Sequence, residues 1–133
     1  MLPKVRVVVA GSNRLLATAE VADTPQSRMT GLLGRDGLPP GHGLILEPCR
    51  LIHTFMMRFA IDVVFYDRAH RVTRAVTDVR PSRFAWGGWR ARATLELPAG
   101  TLAAGGFTLA AGTQLRLEPC SFQRSETSTD YVG

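Results

Sequence analysis

Apolar and polar residues alternate with a period of two along much of the chain, the pattern of β-strands that bury one face. At the start, Val5, Val7 and Val9 share one face, and the turn at 11–13 leads into a second alternating run, so the two predict a hairpin. Further strands are predicted at 43–47, 61–66, 71–79, 91–97 and 113–118, with extended chain over 50–55.

Two short helices interrupt this strand pattern. Thr24 can cap a helix whose first position suits Pro25, where no amide donor is needed, and this helix should run toward Leu32 and end near Gly34. A single helical turn is predicted at 101–104, closed by two glycines. The segment 81–88, which carries Trp86, is predicted to be a loop.

The order of these elements predicts the fold class. Strands dominate, connections are short, and no long helix is available for crossovers between parallel strands, so we expect a mainly β fold, a compact antiparallel sandwich or barrel with two short helices. A chain of 133 residues is long enough for one domain. We assign 1–120 to a single β domain and expect the polar, aperiodic segment 121–133 to be a disordered tail.

Composition then limits the class of protein. An apolar fraction of 45% and a charged fraction of 20% are ordinary for a soluble globular protein. No apolar run is long enough for a membrane span. The apolar part of the N-terminus is too short and too charged for a secretory signal, so a cytoplasmic location is expected.

The formal net charge of +5 raises the question of nucleic-acid binding. The basic residues are 15 arginines and a single lysine, and they are spread along the chain without a cluster. A phosphate-binding surface normally shows as a patch or stripe. The sequence therefore argues against a nucleic-acid partner and for a solvated basic surface.

The two cysteines, Cys49 and Cys120, are too few for a zinc ribbon or a disulfide framework. In a reducing compartment they are expected to be free thiols, whereas in an exported chain one bridge would be open to them. Cys49 and His53 have a spacing that suits a metal on a helix, but on extended chain they would lie ~13 Å apart. We therefore expect neither a metal nor a cofactor.

Three separated motifs carry a resemblance to a known family. They resemble the signature of the family named domain of unknown function 192. The motifs are the run 49–65, which begins with Cys49 and Arg50, the run 95–101, and the opening 20–25 followed by Arg28. The likeness covers roughly residues 5 to 118. It implies a compact, mainly β, jelly-roll-like architecture with no established activity, and many relatives carry export signals.

This chain departs from the family pattern at two positions near the first motif. Met56 stands where similar relatives tend to have glycine, which suggests that the backbone there needs no positive φ. Ala60 stands where they tend to have proline, which loosens the entry to the following strand. His70 occupies a turn position where glycine would be easier.

Asp62 leads the candidate site residues because it lies among apolar neighbours in the strongest predicted strand. A buried carboxylate needs a partner, and Arg58, four residues earlier, could supply a bidentate one. The pair could anchor a ligand, but the favoured interpretation is structural, with Asp62 accepting backbone or arginine hydrogen bonds. His53 and Thr54 are the next candidates.

The segment 80–92 is the most suggestive surface, because four arginines alternate there with three aromatic residues. Arg83, Trp86 and Trp89 could together stack on a sugar or base, or bind an anionic group. The favoured alternative is that Phe84 and one tryptophan plug the end of the sandwich. The two indoles should point in different directions, one packed and one partly exposed.

The leading functional hypothesis is a non-catalytic accessory domain that binds a small ligand or a protein partner. Its candidate binding residues are His53, Thr54, Arg58, Asp62, Arg83, Trp86 and Trp89. The rival hypothesis is a small hydrolase or transferase that uses His53 and Asp62, with Cys49 as a conceivable nucleophile. The sequence contains no known catalytic motif and favours the non-catalytic hypothesis.

Overall fold

The structure, a computed structural model, describes residues 2–120. Within this range the predicted mainly β fold with two short helices is confirmed, and neither helix is long and apolar enough to cross a membrane. The predicted disordered tail, 121–133, lies outside the described residues. The elements are β1 (Lys4–Val9), β2 (Arg14–Ala22), α1 (Pro25–Thr30), β3 (His42–Leu46), β4 (Leu51–His53), β5 (Ile61–Tyr66), β6 (Val72–Val79), β7 (Phe84–Trp86), β8 (Ala93–Pro98), α2 (Thr101–Ala104) and β9 (Leu115–Pro119).

Seven strands form one sheet in the order β6-β5-β8-β3-β2-β1-β9, and β4 pairs with β7 in a separate two-stranded sheet. The large sheet curls so that its two edges approach each other. The residues that precede the edge strands β6 and β9 meet there, and an isolated bridge joins Arg71 to Gln114. The prediction of a wholly antiparallel arrangement is wrong at one place, because β2 and β3 are parallel. Helix α1 and the loop 31–41 provide the crossover that a parallel pair requires.

Both faces of the large sheet are covered, and each has its own apolar core. The inner core is centred on residues such as Ile45, Leu95 and Leu97, and the outer core includes Leu46 and Phe65. Strand β5 contributes to both cores, so all six of its residues are buried. This double burial explains why the run 61–66 is almost continuously apolar.

Helix α1 begins as predicted and ends earlier than predicted. The Thr24 side chain accepts the backbone N–H of Ser27, and the Ser27 hydroxyl accepts the N–H of Thr24, which together form a capping box. The helix ends at Thr30 because Gly31 leaves the helical conformation at φ +46°. Leu32, freed from the helix, packs into the outer core.

The segment 81–88, predicted to be a loop, contains strand β7. Its pairing with β4 sets Trp86 opposite Leu51 and Phe84 opposite His53. Between these pairs Ile52 is buried against the outer core, as is its partner on β7. The small sheet therefore covers the outer core with one face and leaves the other face outward.

Met56 adopts a positive φ of +64°, so the expectation that its backbone needs no left-handed conformation is wrong. The N–H of Met57 donates to the carbonyl of Thr54, and this turn determines the conformation of Phe55 and Met56 between them. The Met56 side chain is exposed, so the turn tolerates methionine without a packing conflict.

Candidate functional site

A pocket of about 180 Å³ opens between helix α1 and the small sheet. Its walls come from α1 and the turn after it, from the end of β3, and from β4. Five side chains bring polar groups to it, namely Arg28, Thr30, Cys49, His53 and Glu96. The apolar lining is formed by Met29, Leu32, Leu33, Leu46, Leu51, Ile52 and Met57.

Glu96 is the most unusual of these five polar groups. It is 3% exposed, on a strand whose neighbours Leu95 and Leu97 enter the inner core, so its carboxyl group faces the opposite side. No hydrogen-bond donor within residues 2–120 reaches this carboxyl group. Burial raises the pKa of Glu96 to about 7, with the guanidinium of Arg35 opposing the rise. A buried hydrogen-bonding group thus remains available at the pocket.

Cys49 lies beside Glu96 and is half-buried. Its Sγ donates to the carbonyl of Leu51 at 3.3 Å, while its own carbonyl accepts the Thr94 hydroxyl at 3.0 Å. Burial is the main cause that raises the pKa of this thiol. Since the thiolate is the nucleophilic form, Cys49 is held in its less reactive state at neutral pH.

Arg28 brings positive charge to the pocket from the last turn of α1. Its Nη1 donates at 3.3 Å to the carbonyls of Asp23 and Glu47, which ties the helix to the chain after β3. Among the residues that the structure describes, no carboxylate forms an ion pair with Arg28. The guanidinium therefore has both a structural role and an uncompensated charge.

His53 lies on the outward face of β4, where it forms part of an aromatic cluster. Its ring stacks on Phe55 with centroids 5.4 Å apart and meets Phe84 edge-on at 6.5 Å. Phe84 is 64% exposed, so the prediction that it plugs the end of the fold is wrong. It cannot reach the core because the alternation of β7 turns Ala85 inward instead.

The predicted pairing of Arg58 with Asp62 is wrong. Arg58 is exposed and pairs with Asp36 at 2.8 Å. Asp62 is fully buried, and its two carboxylate oxygens accept the backbone N–H groups of Asp78 and Leu102, each at 3.0 Å. Arg58 and Asp62 do not meet because the chain at 54–60 forms turns instead of extending β5 backward. The structural interpretation of Asp62 is supported, with backbone N–H groups as its donors.

Thr54 is also committed to the fold. Its buried hydroxyl donates to the carbonyl of Arg80 at 2.6 Å and accepts the N–H of Arg83 at 2.9 Å. These bonds fasten the end of β4 to the chain that enters β7. The Arg83 side chain is exposed and lies outside the pocket.

The two tryptophans contact each other, contrary to the prediction that they point in different directions. Their ring centroids are 5.0 Å apart in an edge-to-face arrangement. Trp86 is half-buried and Trp89 is 80% exposed, so the expected difference in exposure is present. Gly88, at φ +96°, lies between the two tryptophans, and its carbonyl accepts the N–H of Ala91 in the turn that contains Trp89.

The structure does not assemble the catalytic set considered from the sequence. His53 is outward among aromatic rings, whereas Asp62 is enclosed by backbone donors from β6 and α2. Nor do residues 2–120 contain a cluster of three or more histidine, cysteine or acidic side chains placed to hold a metal ion.

Sequence reasoning missed Glu96 because of the alternation in β8. Leu95 and Leu97 alternate with Glu96, which predicts a strand with one solvated face. That face is instead covered by α1 and the small sheet, so β8 is buried almost throughout. The burial of Glu96 becomes visible only in the folded structure, where other parts of the chain lie over the outer face of the curled sheet.

Comparison with known proteins supports the fold and assigns no activity. The model of a family described as "Uncharacterized ACR", DUF192, matches residues 6–117. No curated protein matches the chain.

Two crystal structures resemble this one. The first, from Sinorhizobium meliloti 1021 and described as a proposed transcription regulator, has 22% identity and a TM-score of 0.72, covering 88% of this chain and 94% of the other. The second, a protein of unknown function from Novosphingobium aromaticivorans DSM 12444, has 21% identity and a TM-score of 0.70. The match covers 85% of this chain and 83% of the other. At these identities the likeness concerns the fold.

Proposed function

The chain belongs to the domain of unknown function 192 family, and for this member we propose that it binds a small ligand in the pocket between α1 and the small sheet. The ligand is a mainly apolar molecule about the size of one ring, with a nitrogen donor that hydrogen-bonds to Glu96. The domain acts as a binding module, and the pocket is its recognition site.

The buried carboxyl group of Glu96 carries this proposal. Glu96 is 3% exposed and lines the pocket, so its carboxyl group is accessible to a molecule that enters there while receiving no donor from residues 2–120. At Glu96 a ligand would supply the missing partner, and a charged nitrogen would supply the strongest kind. The carboxyl group then selects for a donor, whereas the apolar walls supply most of the affinity.

The dimensions of the pocket define the size of the ligand. A cavity of ~150 Å³ lined by aliphatic residues holds benzene, so the 180 Å³ here suits a single ring or a short branched chain. Leu32, Leu46 and Ile52 provide buried apolar contacts, and Met57 can adjust its shape to the occupant. Arg28 and His53 border the pocket and would meet any polar group that extends from it.

The alternative of a small hydrolase or transferase is less well supported. An enzyme of that kind needs two or more titratable groups within hydrogen-bond reach inside a concavity. His53 and Asp62 do not converge, and the carboxylate of Asp62 is occupied by two backbone N–H groups.

Benzylamine and toluene test the proposal, since they share a ring and only benzylamine carries a nitrogen donor. In ¹H–¹⁵N spectra, benzylamine should shift the amide signals of Leu32, Ile52 and Glu96, and toluene should do so at least about tenfold more weakly. Binding of benzylamine should tighten from about pH 6 to about pH 8, because Glu96 ionises near its raised pKa.

Two variants give the matched comparison. Glu96→Gln should weaken benzylamine binding at least about tenfold and remove its pH dependence. Glu118→Gln, the same change at a partly exposed glutamate of β9, should leave binding unchanged. Equal affinity for benzylamine and toluene, or undiminished binding by Glu96→Gln, would contradict the proposed role of Glu96.

A further inference from the structure

The outward face of the small sheet carries an aromatic strip, defined by His53, Phe55, Phe84, Trp86 and Trp89. The rings contact one another in two groups: Phe55 meets Phe84 with centroids 4.9 Å apart, and Trp86 meets Trp89 at 5.0 Å. Phe84 and Trp86 are two positions apart on β7, so the strand places them on one face at a spacing of ~6.6 Å. Exposed aromatic patches of this kind mark binding surfaces.

Positive charge surrounds the aromatic strip. The segments that build it, 49–58 and 83–92, contain five arginines and no acidic residue. Of these arginines, Arg50, Arg83 and Arg90 are exposed and form no ion pair within residues 2–120. The surface therefore combines aromatic faces with guanidinium groups whose charge is uncompensated.

The fold brings these arginines together from distant parts of the sequence. Arg50 and Arg90 line the same surface depression as Trp89, and Arg83 immediately precedes Phe84 on the chain that enters β7. Arg74, from β6, donates to the carbonyl of Trp86 at 3.0 Å. Asp67 and Arg68 also line the depression, so the negative charge of Asp67 is offset there by a further arginine, and Asp67 Oδ1 accepts the N–H groups of Ala69 and Arg71.

We propose that the aromatic strip and its arginines form a docking surface for single-stranded nucleic acid. Bases stack on exposed aromatic rings whatever their sequence, and guanidinium groups bind the phosphates between them. Along the chain the arginines are spread without a cluster, which by itself argues against a nucleic-acid partner. In the structure, those of two separated segments flank one set of rings, which removes that objection.

Charge complementarity favours a polyanion that has planar groups over other occupants. An acidic peptide offers the negative charge but not a succession of flat faces for the rings. An anionic membrane surface attracts basic and aromatic residues too, and it would require insertion of Phe84 and Trp89 between lipids. Binding to vesicles is therefore the competing outcome to measure.

Fluorescence anisotropy with a labelled single-stranded oligothymidylate of about 20 nucleotides tests the proposal on the full chain. Binding should quench the tryptophan emission and weaken with salt, with a logarithmic slope of about −2 if the three arginines contact phosphates. A duplex of the same length should bind more weakly, since its bases are stacked inside. Vesicles containing phosphatidylserine serve as the second probe.

Two triple variants separate a defined surface from general charge. The first variant combines Arg50→Gln, Arg83→Gln and Arg90→Gln, and it should weaken oligothymidylate binding at least about tenfold. The control variant combines Lys4→Gln, Arg6→Gln and Arg116→Gln on β1 and β9. It also removes three positive charges and should change oligothymidylate binding less than about twofold.

The rings are tested separately from the charges. Phe84→Ala and Trp89→Ala together should weaken binding about tenfold with the net charge unchanged, because both rings are exposed and their loss leaves the core intact. Equal losses in the two triple variants, absence of oligothymidylate binding, or a preference for phosphatidylserine vesicles would each overturn the proposal. Glu96→Gln should leave oligothymidylate binding unchanged, so this surface and the pocket are tested independently.

Discussion

The carboxylate of Asp62 accepts the backbone N–H of Leu102 at 3.0 Å, so a strand side chain caps a helix 40 positions further along the chain. Helix α2 needs this partner because its N-cap, Gly100, has no side chain with which to satisfy the first amides. The other oxygen of Asp62 accepts the N–H of Asp78 at 3.0 Å. One buried carboxylate thereby joins β5, the end of β6 and α2.

Removal of this carboxylate should destabilise the fold. Asp62→Ala leaves two backbone donors without a partner, so the free energy of unfolding should fall by about 2–4 kcal/mol. Asp62→Asn keeps one acceptor and should cost about half as much. Urea denaturation measures both, and Asp36→Ala, at an exposed aspartate, should change stability by less than about 0.5 kcal/mol. Wild-type stability of Asp62→Ala would contradict its structural role.

Glu96 should make the fold less stable as the pH rises. Its pKa in the folded protein, about 7, lies above the ordinary value of 4.5, so the folded state binds the proton more tightly than the unfolded state. Below about pH 4.5 Glu96 is protonated in both states and the stability is fully present. Up to about 3 kcal/mol is lost as the pH rises from about 4.5 to about 7, and the loss stays constant at higher pH.

Glu96→Gln isolates this effect, because it keeps the shape and removes the ionisation. The variant should match the wild type near pH 4 and be more stable than it near pH 8, by about 2–3 kcal/mol. The difference between the two unfolding free energies across pH is the measurement. A difference that stays constant would show that Glu96 does not titrate in this range.

The hydroxyl of Tyr66 is buried and has no hydrogen-bond partner among the described residues. Burial and the nearby charge of Glu47 both raise its pKa, so the group is neutral and simply lacks a partner. Tyr66→Phe should therefore raise the free energy of unfolding by about 1 kcal/mol, because the ring is retained and the cost of the hydroxyl is removed. A loss of stability in thermal denaturation would indicate that an ordered water satisfies the hydroxyl.

Met56 adopts its left-handed conformation with an exposed side chain, so glycine should fit better. Relief of a left-handed conformation gains about 1–2 kcal/mol and is partly offset by the greater freedom of glycine in the unfolded chain. Met56→Gly should thus raise the free energy of unfolding by about 0.5–1 kcal/mol in urea denaturation. Met29→Gly, at an exposed position inside α1, should instead destabilise by a similar amount.

Local chemistry predicted much of the fold. The strand 61–66 and the helical turn 101–104 have the predicted bounds, and Thr24 caps α1 as its position before Pro25 indicates. These features depend on neighbours in the chain, whose identity the sequence states directly. The same local reasoning failed at Met56, where a turn determines the backbone conformation against the preference of the residue.

The sequence by itself determined that this is a mainly β protein, where most of its strands lie, and that Asp62 must find partners in a buried strand. Only the tertiary structure decided which partners those are, that β2 and β3 are parallel, and that Glu96 is enclosed. It also decided that the arginines near 50 and near 90 share one aromatic surface. The physical reason is that alternation reports which residues share a face of a strand, whereas burial, pairing and local charge depend on what the rest of the chain places against that face.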